Sequence, residues 1–167
     1  MTALDDREYF TEQIHSCEKS MYAAAYSVLK NNDDIADAVQ DAILKAYTHL
    51  DSLENRDKFR PWIMKIVHNT AIEYIRKKRD EIDIDTYAEN LPDSSDGVDP
   101  ETKITVRQAV DSLSRQLREV IILFYYDNCS VKEIAKITSK PESTIRVQLL
   151  RGRKMLAQLL KKEDFTL

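Results

Sequence analysis

The sequence predicts an all-α protein made of two small helical domains joined by an acidic flexible linker. Three observations carry that prediction. Two glycines and four prolines in 167 residues supply little of the turn chemistry that a sheet protein needs. Apolar residues recur at helical spacing through segments rich in Ala, Leu, Lys, Glu and Gln, which favour helix intrinsically. Residues 80–101, DEIDIDTYAENLPDSSDGVDPE, carry nine acidic groups and no cation, with two of the prolines and one of the glycines. That is the composition of a solvated tether. With 43% hydrophobic and 32% charged residues overall, the chain can still bury a core on either side of it.

The N-terminal domain, residues 1–80, is expected to hold three to four helices. Residues 9–31 and 33–53 read as amphipathic helices, the second with Asp33 or Asp34 as N-cap, and residues 58–79, KFRPWIMKIVHNTAIEYIRKKR, as a third. Residues 81–102 are the linker. The C-terminal domain, residues 103–167, is expected to hold four helices near 101–111, 115–127, 131–138 and 142–162. The two domains share no sequence repeat.

A net charge of −4 conceals an alternation of sign. Residues 1–50 carry 4 basic and 9 acidic groups, residues 51–79 carry 8 and 4, residues 80–101 carry 0 and 9, and residues 102–167 carry 13 and 7. Two basic segments separated by an acidic one can hold a polyanion at two places, because screening cuts charge interactions off beyond about 8 Å.

Several classes are excluded. Cys17 and Cys129 stand alone, with no metal-binding spacing, and read as reduced thiols. His15, His49 and His68 have neither metal spacing nor a nucleophile partner, and there is no glycine-rich phosphate loop. No enzyme activity, cofactor or small-molecule substrate is expected. The acidic start, MTALDDREYF, lacks the layout of a signal peptide, and no apolar run approaches the roughly 18 residues of a membrane span. A cytoplasmic protein without direct membrane insertion is expected.

On the third helix, at about 100° per residue, Ile63, Val67, Thr70 and Tyr74 fall on one stripe. Trp62, the chain's one tryptophan, lies at its border, beside a polar stripe of Lys65, Asn69 and Arg76, and the helix ends in Arg76, Lys77, Lys78 and Arg79. An aromatic plane, an amide and cations on one ridge are the components of a surface that captures unstacked bases. The alternative is a core-edge Trp ahead of a solvated basic helix end.

Residues 130–156, SVKEIAKITSKPESTIRVQLLRGRKML, carry a helix-turn-helix pattern. Ser130 and Glu133 form a capping-box pair, a polar break spans residues 138–140, Pro141 suits the first turn of a helix, and a long basic helix follows. Ile134, Ile137, Ile145 and Leu149 supply the shared core. Glu142, Ser143, Thr144, Arg146, Val147 and Gln148 are then placed to approach base edges in a major groove, with Arg151 and Arg153 near phosphates.

With both domains read, the chain resembles the extracytoplasmic-function (ECF) sigma factors, the small two-domain members of the bacterial sigma-70-type family. DDIADAVQDAILKAY resembles the region-two helix that docks on core RNA polymerase, with Asp34, Asp37, Gln40 and Asp41 at its acid and glutamine positions. FRPWIMKIVHNTAIEYIRKKR resembles the helix of promoter melting and minus-ten recognition, with Trp62 and Asn69 in register. Residues 113–156 resemble region four, which binds the minus-thirty-five element and the polymerase flap. Glu73 stands where the family usually has Asp, Ser114 where a Leu-Pro pair commonly opens region four, and Ser139 where a turn glycine is usual.

The resemblance implies a protein without a catalytic site, whose partners are core RNA polymerase, promoter DNA and an anti-sigma factor, often membrane-anchored, that holds it inactive. Polymerase contacts would come from the acidic ridge and from an apolar surface around Leu117, Ile121 and Phe124. Residues 51–58 would capture a flipped minus-ten base, and the acidic linker would run through the polymerase interior as a strand mimic or a plain tether. Two alternatives stay open: a helix-turn-helix regulator that acts without core polymerase, and a helical scaffold whose basic ends only solubilise it.

Overall fold

A computed structural model of the chain describes residues 2–82 and 105–161, and among these residues every regular element is helical. Of the expected linker, residues 81 and 82 close the third helix, and residues 83–102 lie outside the described residues.

Helix α1 (Ala3–Val28) begins six residues earlier than its apolar pattern indicated. Thr2 caps it, its hydroxyl accepting from the Asp5 amide while the Asp5 carboxylate accepts from the Thr2 amide. Helix α2 (Asn32–Thr48) is capped by Asn31, whose side chain accepts from the amides of Asp33 and Asp34. The expected Asp caps thus lie inside the first turn, where their charge favours the positive end of the helix dipole. Two short 3-10 turns, Leu50–Ser52 and Arg56–Lys58, lead into α3 (Phe59–Ile82). Pro61 falls in its first turn, where the missing N–H costs nothing.

The three helices close on a core in which Met21, Phe59, Ile63, Met64 and Val67 are fully buried and Phe10 is nearly so. Small residues on α2, namely Ala38, Ala42 and Ala46, let α3 approach closely. Phe59 anchors an aromatic cluster, with Tyr9 and Phe10 edge-on at 5.9 Å each and Trp62 tilted at 5.5 Å.

The C-terminal unit comprises α4 (Val106–Asp111), α5 (Arg115–Ile121), α6 (Val131–Thr138) and α7 (Glu142–Lys161). The helix expected at 115–127 changes winding at Ile122 and completes its course as a π-helical turn over Ile122–Tyr126. Thr105 and Ser130 both close capping boxes, on Gln108 and Glu133. Ser114 caps α5 without any side-chain hydrogen bond. Ser139 ends α6 in the left-handed region at φ 56°, so the turn conformation that usually falls to glycine is held here by serine. Ile134, Ile137, Ile145, Leu149, Val120 and Leu123 form the core. A Cβ on Gly152 would meet Ile121 Cγ1 at 2.8 Å, so α7 rests on α5 at a spacing only glycine leaves free.

The two units pack on each other. Helix α3 lies against α6, and α1 against α5 and the π-helical turn. Arg118, 3% exposed, donates its Nε to the Ser27 carbonyl at 2.9 Å; the Tyr26 hydroxyl bonds Asp111, and Arg60 donates to the Asp127 carbonyl.

Candidate nucleic-acid and polymerase interfaces

The first surface is the ridge on α3. Ile63, Val67 and Thr70 are buried and Tyr74 half-buried, so the helix turns the expected stripe inward. Trp62 is partly buried, its ring tilted on Phe59 at 5.5 Å, and Lys65 and Asn69 further along α3 are exposed. A partly exposed aromatic side chain anchored on the core is the kind of group that can stack with an unpaired base. Arg76, Lys77, Lys78 and Arg79 extend the exposed stripe.

Ahead of this ridge, the loop over residues 51–58 is held from α1. The Tyr9 hydroxyl donates to the Arg56 carbonyl at 2.9 Å, and the Arg56 guanidinium covers the Tyr9 ring at 4.3 Å while pairing with Asp6. Burial raises the Tyr9 hydroxyl's pKa, partly offset by Arg56.

The acidic ridge on α2 divides in two. Asp37 and Gln40 are exposed. Asp34 pairs with Lys78, and Asp41 accepts from the Tyr74 hydroxyl at 2.5 Å, a bond that, with burial, pushes the Tyr74 hydroxyl up to about 12. Lys45 reaches Glu73 at 2.7 Å and Thr70 at 3.3 Å. Polar ties therefore stitch α2 to α3, and Lys78, read from sequence as a DNA contact, is engaged within the fold. Glu73, with one methylene more than the Asp usual at its position, serves this stitching.

The second surface is α7. Ser143, Arg146, Val147 and Arg151 are exposed, and Glu142 and Thr144 half-exposed, on the side away from the core. Arg146 pairs with Glu142 one turn earlier at 3.1 Å, an exposed pair that a base edge or phosphate can displace at little cost. Two expectations need correction. Gln148 is 8% exposed and faces the unit's interior beside Ile145 and Leu149, so it does not reach a base edge. Ile121, 4% exposed, lies under Gly152 rather than on an apolar surface, leaving Leu117 and Phe124 half-buried around it. Arg153 turns aside from the outer face: its Nε donates to the Tyr125 hydroxyl at 2.5 Å and its guanidinium stands over the Phe124 and Tyr125 rings.

Both cysteines are free and buried, and burial pushes the Cys129 thiol up to about 11. Among the described residues no group of three His, Cys, Asp or Glu side chains has metal-binding proximity, and no helix is long and apolar enough to cross a membrane.

Among the described residues the chain is all helical, with an exposed basic ridge on one unit and an exposed basic helix on the other, the features of a candidate two-point DNA-binding protein. Residues 14–81 match the sigma-70 region 2 family and residues 103–156 the sigma-70 region 4 family. The chain is 31% identical to the RNA polymerase sigma factor SigV of Bacillus subtilis over 89% of each chain. It is also 31% identical to the ECF RNA polymerase sigma factor SigW of the same organism, over 93% of this chain and 91% of that one. Among solved structures, the sigma factor RpoE in complex with the anti-sigma factor NepR from Bartonella quintana superposes with a TM-score of 0.75 at 25% identity, covering 93% of this chain and 98% of that chain. The chain belongs to the ECF sigma factors of the sigma-70 family: it is an RNA polymerase sigma factor.

Proposed function

We propose that residues 1–80 bind core polymerase and melt the minus-ten element, that residues 103–167 read the minus-thirty-five element, and that the protein contributes no catalytic site of its own. Trp62 stacks on an unpaired base, Asn69 reads its edge, and Lys65, Arg76, Lys77 and Arg79 hold the neighbouring phosphates. Arg146, Val147, Ser143, Thr144 and Glu142 approach base edges upstream, with Arg151 on the backbone. Asp37 and Gln40 meet the polymerase directly, and Asp34 and Asp41 join them once their ties to α3 are exchanged for polymerase contacts. The observation that supports this reading is the partly exposed Trp62, seated on Phe59, on the same helix as exposed Lys65 and Asn69. The protein works in the cytoplasm, where an anti-sigma factor, often membrane-anchored in such systems, holds it inactive.

The experiment is a gel shift and in vitro transcription assay on a promoter library, with and without core polymerase. Specific binding and start-site selection only with core are expected; tight binding of the isolated chain to a palindromic site would instead make it a regulator independent of polymerase.

A further inference from the structure

The outward face of α7 carries a pair of apolar side chains that stand outside the core. Taking the buried residues Ile145, Leu149 and Gly152 as one pole of the helix, Ser143, Val147, Leu150 and Lys154 all lie within about 50° of the opposite pole. Val147 is 46% exposed and Leu150 52%, and neither belongs to the hydrophobic core. Standing three positions apart, they are neighbours on the helix surface. Arg146, Arg151 and Lys154, all exposed, surround them. Helix stability does not favour this choice, since a branched valine loses rotamer freedom there. Single apolar side chains are common on protein surfaces, but an adjacent pair at the centre of a cationic face is a different arrangement.

The cations fit a polyanion, and the spacing fits a duplex. Ser143, Arg146, Val147 and Leu150 follow the i, i+3, i+4, i+7 pattern at which helices lying in a major groove present side chains to base edges. Val147 and Leu150 are about 4.5 Å apart along the axis, against about 3.4 Å between stacked base pairs, so together they cover one or two steps. In that groove the C5-methyl of thymine is the apolar group that projects, among nitrogen and oxygen atoms that seek hydrogen bonds. A Val or Leu side chain laid on those polar atoms strips their water and returns no bond, which opposes binding. Laid on a methyl, it removes apolar surface from water, which favours binding.

Resting on the reading above that α7 meets the minus-thirty-five element, we propose that Val147 and Leu150 are specificity-determining residues that read thymine C5-methyl groups there. The element then presents thymine, on either strand, at the one or two base-pair steps beneath the pair, beside the base that Arg146 contacts. Ser143 and Arg146 supply the polar half of the readout and Val147 and Leu150 the apolar half, while Arg151 and Lys154 hold flanking phosphates. Cytosine methylated at C5 carries the same methyl group and also satisfies the pair; unmethylated cytosine does not.

Holoenzyme assembled from the full chain and core polymerase, presented with promoters randomised over the minus-thirty-five element, selects the templates for the test. Thymines in the selected element are then replaced one at a time by deoxyuridine, which deletes the methyl and keeps every hydrogen-bonding group. Each replacement beneath the pair is expected to lower promoter binding about fourfold. In Val147→Ala and Leu150→Ala that loss should shrink to within about twofold at the step each covers; both positions are exposed, and alanine keeps the helix. Cytosine placed at the same step should bind the wild type weakly and recover on C5-methylation. A selected element without thymine, deoxyuridine templates bound as tightly as thymine ones, or a loss of the same size in both alanine variants overturns the proposal. The last outcome would trace the methyl effect to duplex stiffness or to another residue. Should the variants bind no promoter, cytosine methylation with the wild type decides alone. Absence of promoter-specific binding by the wild-type holoenzyme, or selection indifferent to the minus-thirty-five sequence, would instead overturn the reading on which the pair rests.

Discussion

The two helices proposed to read DNA are built on opposite plans. On α3 the key side chain belongs to the core: Trp62 rests on Phe59, which in turn seats Tyr9 and Phe10. On α7 the proposed readers Ser143, Arg146 and Val147 stand in solvent, and the core is made on the other side of the helix by Ile145, Leu149 and Gly152. Melting demands an aromatic plane rigid enough to replace a neighbouring base, which only packing provides; groove reading demands side chains free to meet an edge. Stability and recognition are therefore coupled in the first unit and separable in the second.

The largest expected effect tests the separable case. Arg146→Glu should remove discrimination at the minus-thirty-five position it faces, an order of magnitude or more in transcript ratio, since a bidentate arginine–guanine contact is worth about 1–3 kcal/mol and the new charge repels phosphate. Its melting temperature should stay close to that of the wild type, because only an exposed pair with Glu142 is lost. A melting temperature lowered together with selectivity would show that α7 is coupled after all.

Trp62→Ala tests the coupled case. Open-complex formation should fall by about 1–3 kcal/mol in stacking, with core binding retained, and the first unit should lose stability as well. Trp62→Phe should recover most of the stability but less of the melting, and permanganate reactivity of the minus-ten thymines separates the two.

How far these plans could be read from the chain follows the same division. The α6 boundaries, the Ser130 capping box and the isoleucine core of α6 and α7 were legible because they rest on spacings of three and four residues. The same local logic placed Trp62 at the edge of a buried stripe. The start of α1 was missed because a polar first turn carries no apolar period, although Thr2 and Asp5 have capping-box spacing. Gln148 was misplaced because a polar side chain on the inner face looks like a reader until burial is known. The Glu142–Arg146 pair is legible as an i,i+4 spacing. Lys78–Asp34, Tyr9–Arg56, His68–Glu119 and Arg60–Asp127 join residues 44 or more positions apart and leave no periodic trace.

Asp127 gives a pH dependence whose sign follows from its burial. Burial raises its carboxyl to about 6 in the folded chain, against an ordinary value of 3.8, with the Ser20 hydroxyl and Arg60 opposing the rise. A group whose pKa is raised on folding stabilises the folded state fully below its ordinary value and loses that contribution as pH rises through about 6. Stability should therefore be larger at pH 5 than at pH 7.5, by about 1 kcal/mol from this group alone, and Asp127→Asn should flatten the profile. Denaturant melts at the two pH values measure it; a contribution from this group that grows toward pH 7.5 would reverse the argument.

The second unit also carries the clearest steric limit. Gly152→Val would drive a branched side chain into Ile121, which a Cβ alone approaches at 2.8 Å, and should lower stability by about 1–3 kcal/mol while leaving the first unit's melting unchanged.

The smallest expected effect lies at the turn between α6 and α7. Ser139 holds φ 56° and ψ 42°, a conformation that a side chain with a Cβ disfavours by about 1–2 kcal/mol, and its amide still donates to the Ala135 carbonyl to end the helix. Glycine adopts the same angles without that cost but has more freedom to lose from the unfolded chain, so the two effects partly cancel. Ser139→Gly should therefore raise the stability of the second unit by roughly 0.5–1 kcal/mol, a few degrees in its melting temperature, with minus-thirty-five selectivity unchanged because the turn keeps its path. Denaturant melts of the full chain measure the gain. A loss of stability would mean that the Ser139 side chain contributes to the turn in a way its dihedral angles do not reveal, and a change in selectivity would mean that the turn, and not only the outer face of α7, sets how the second unit meets DNA.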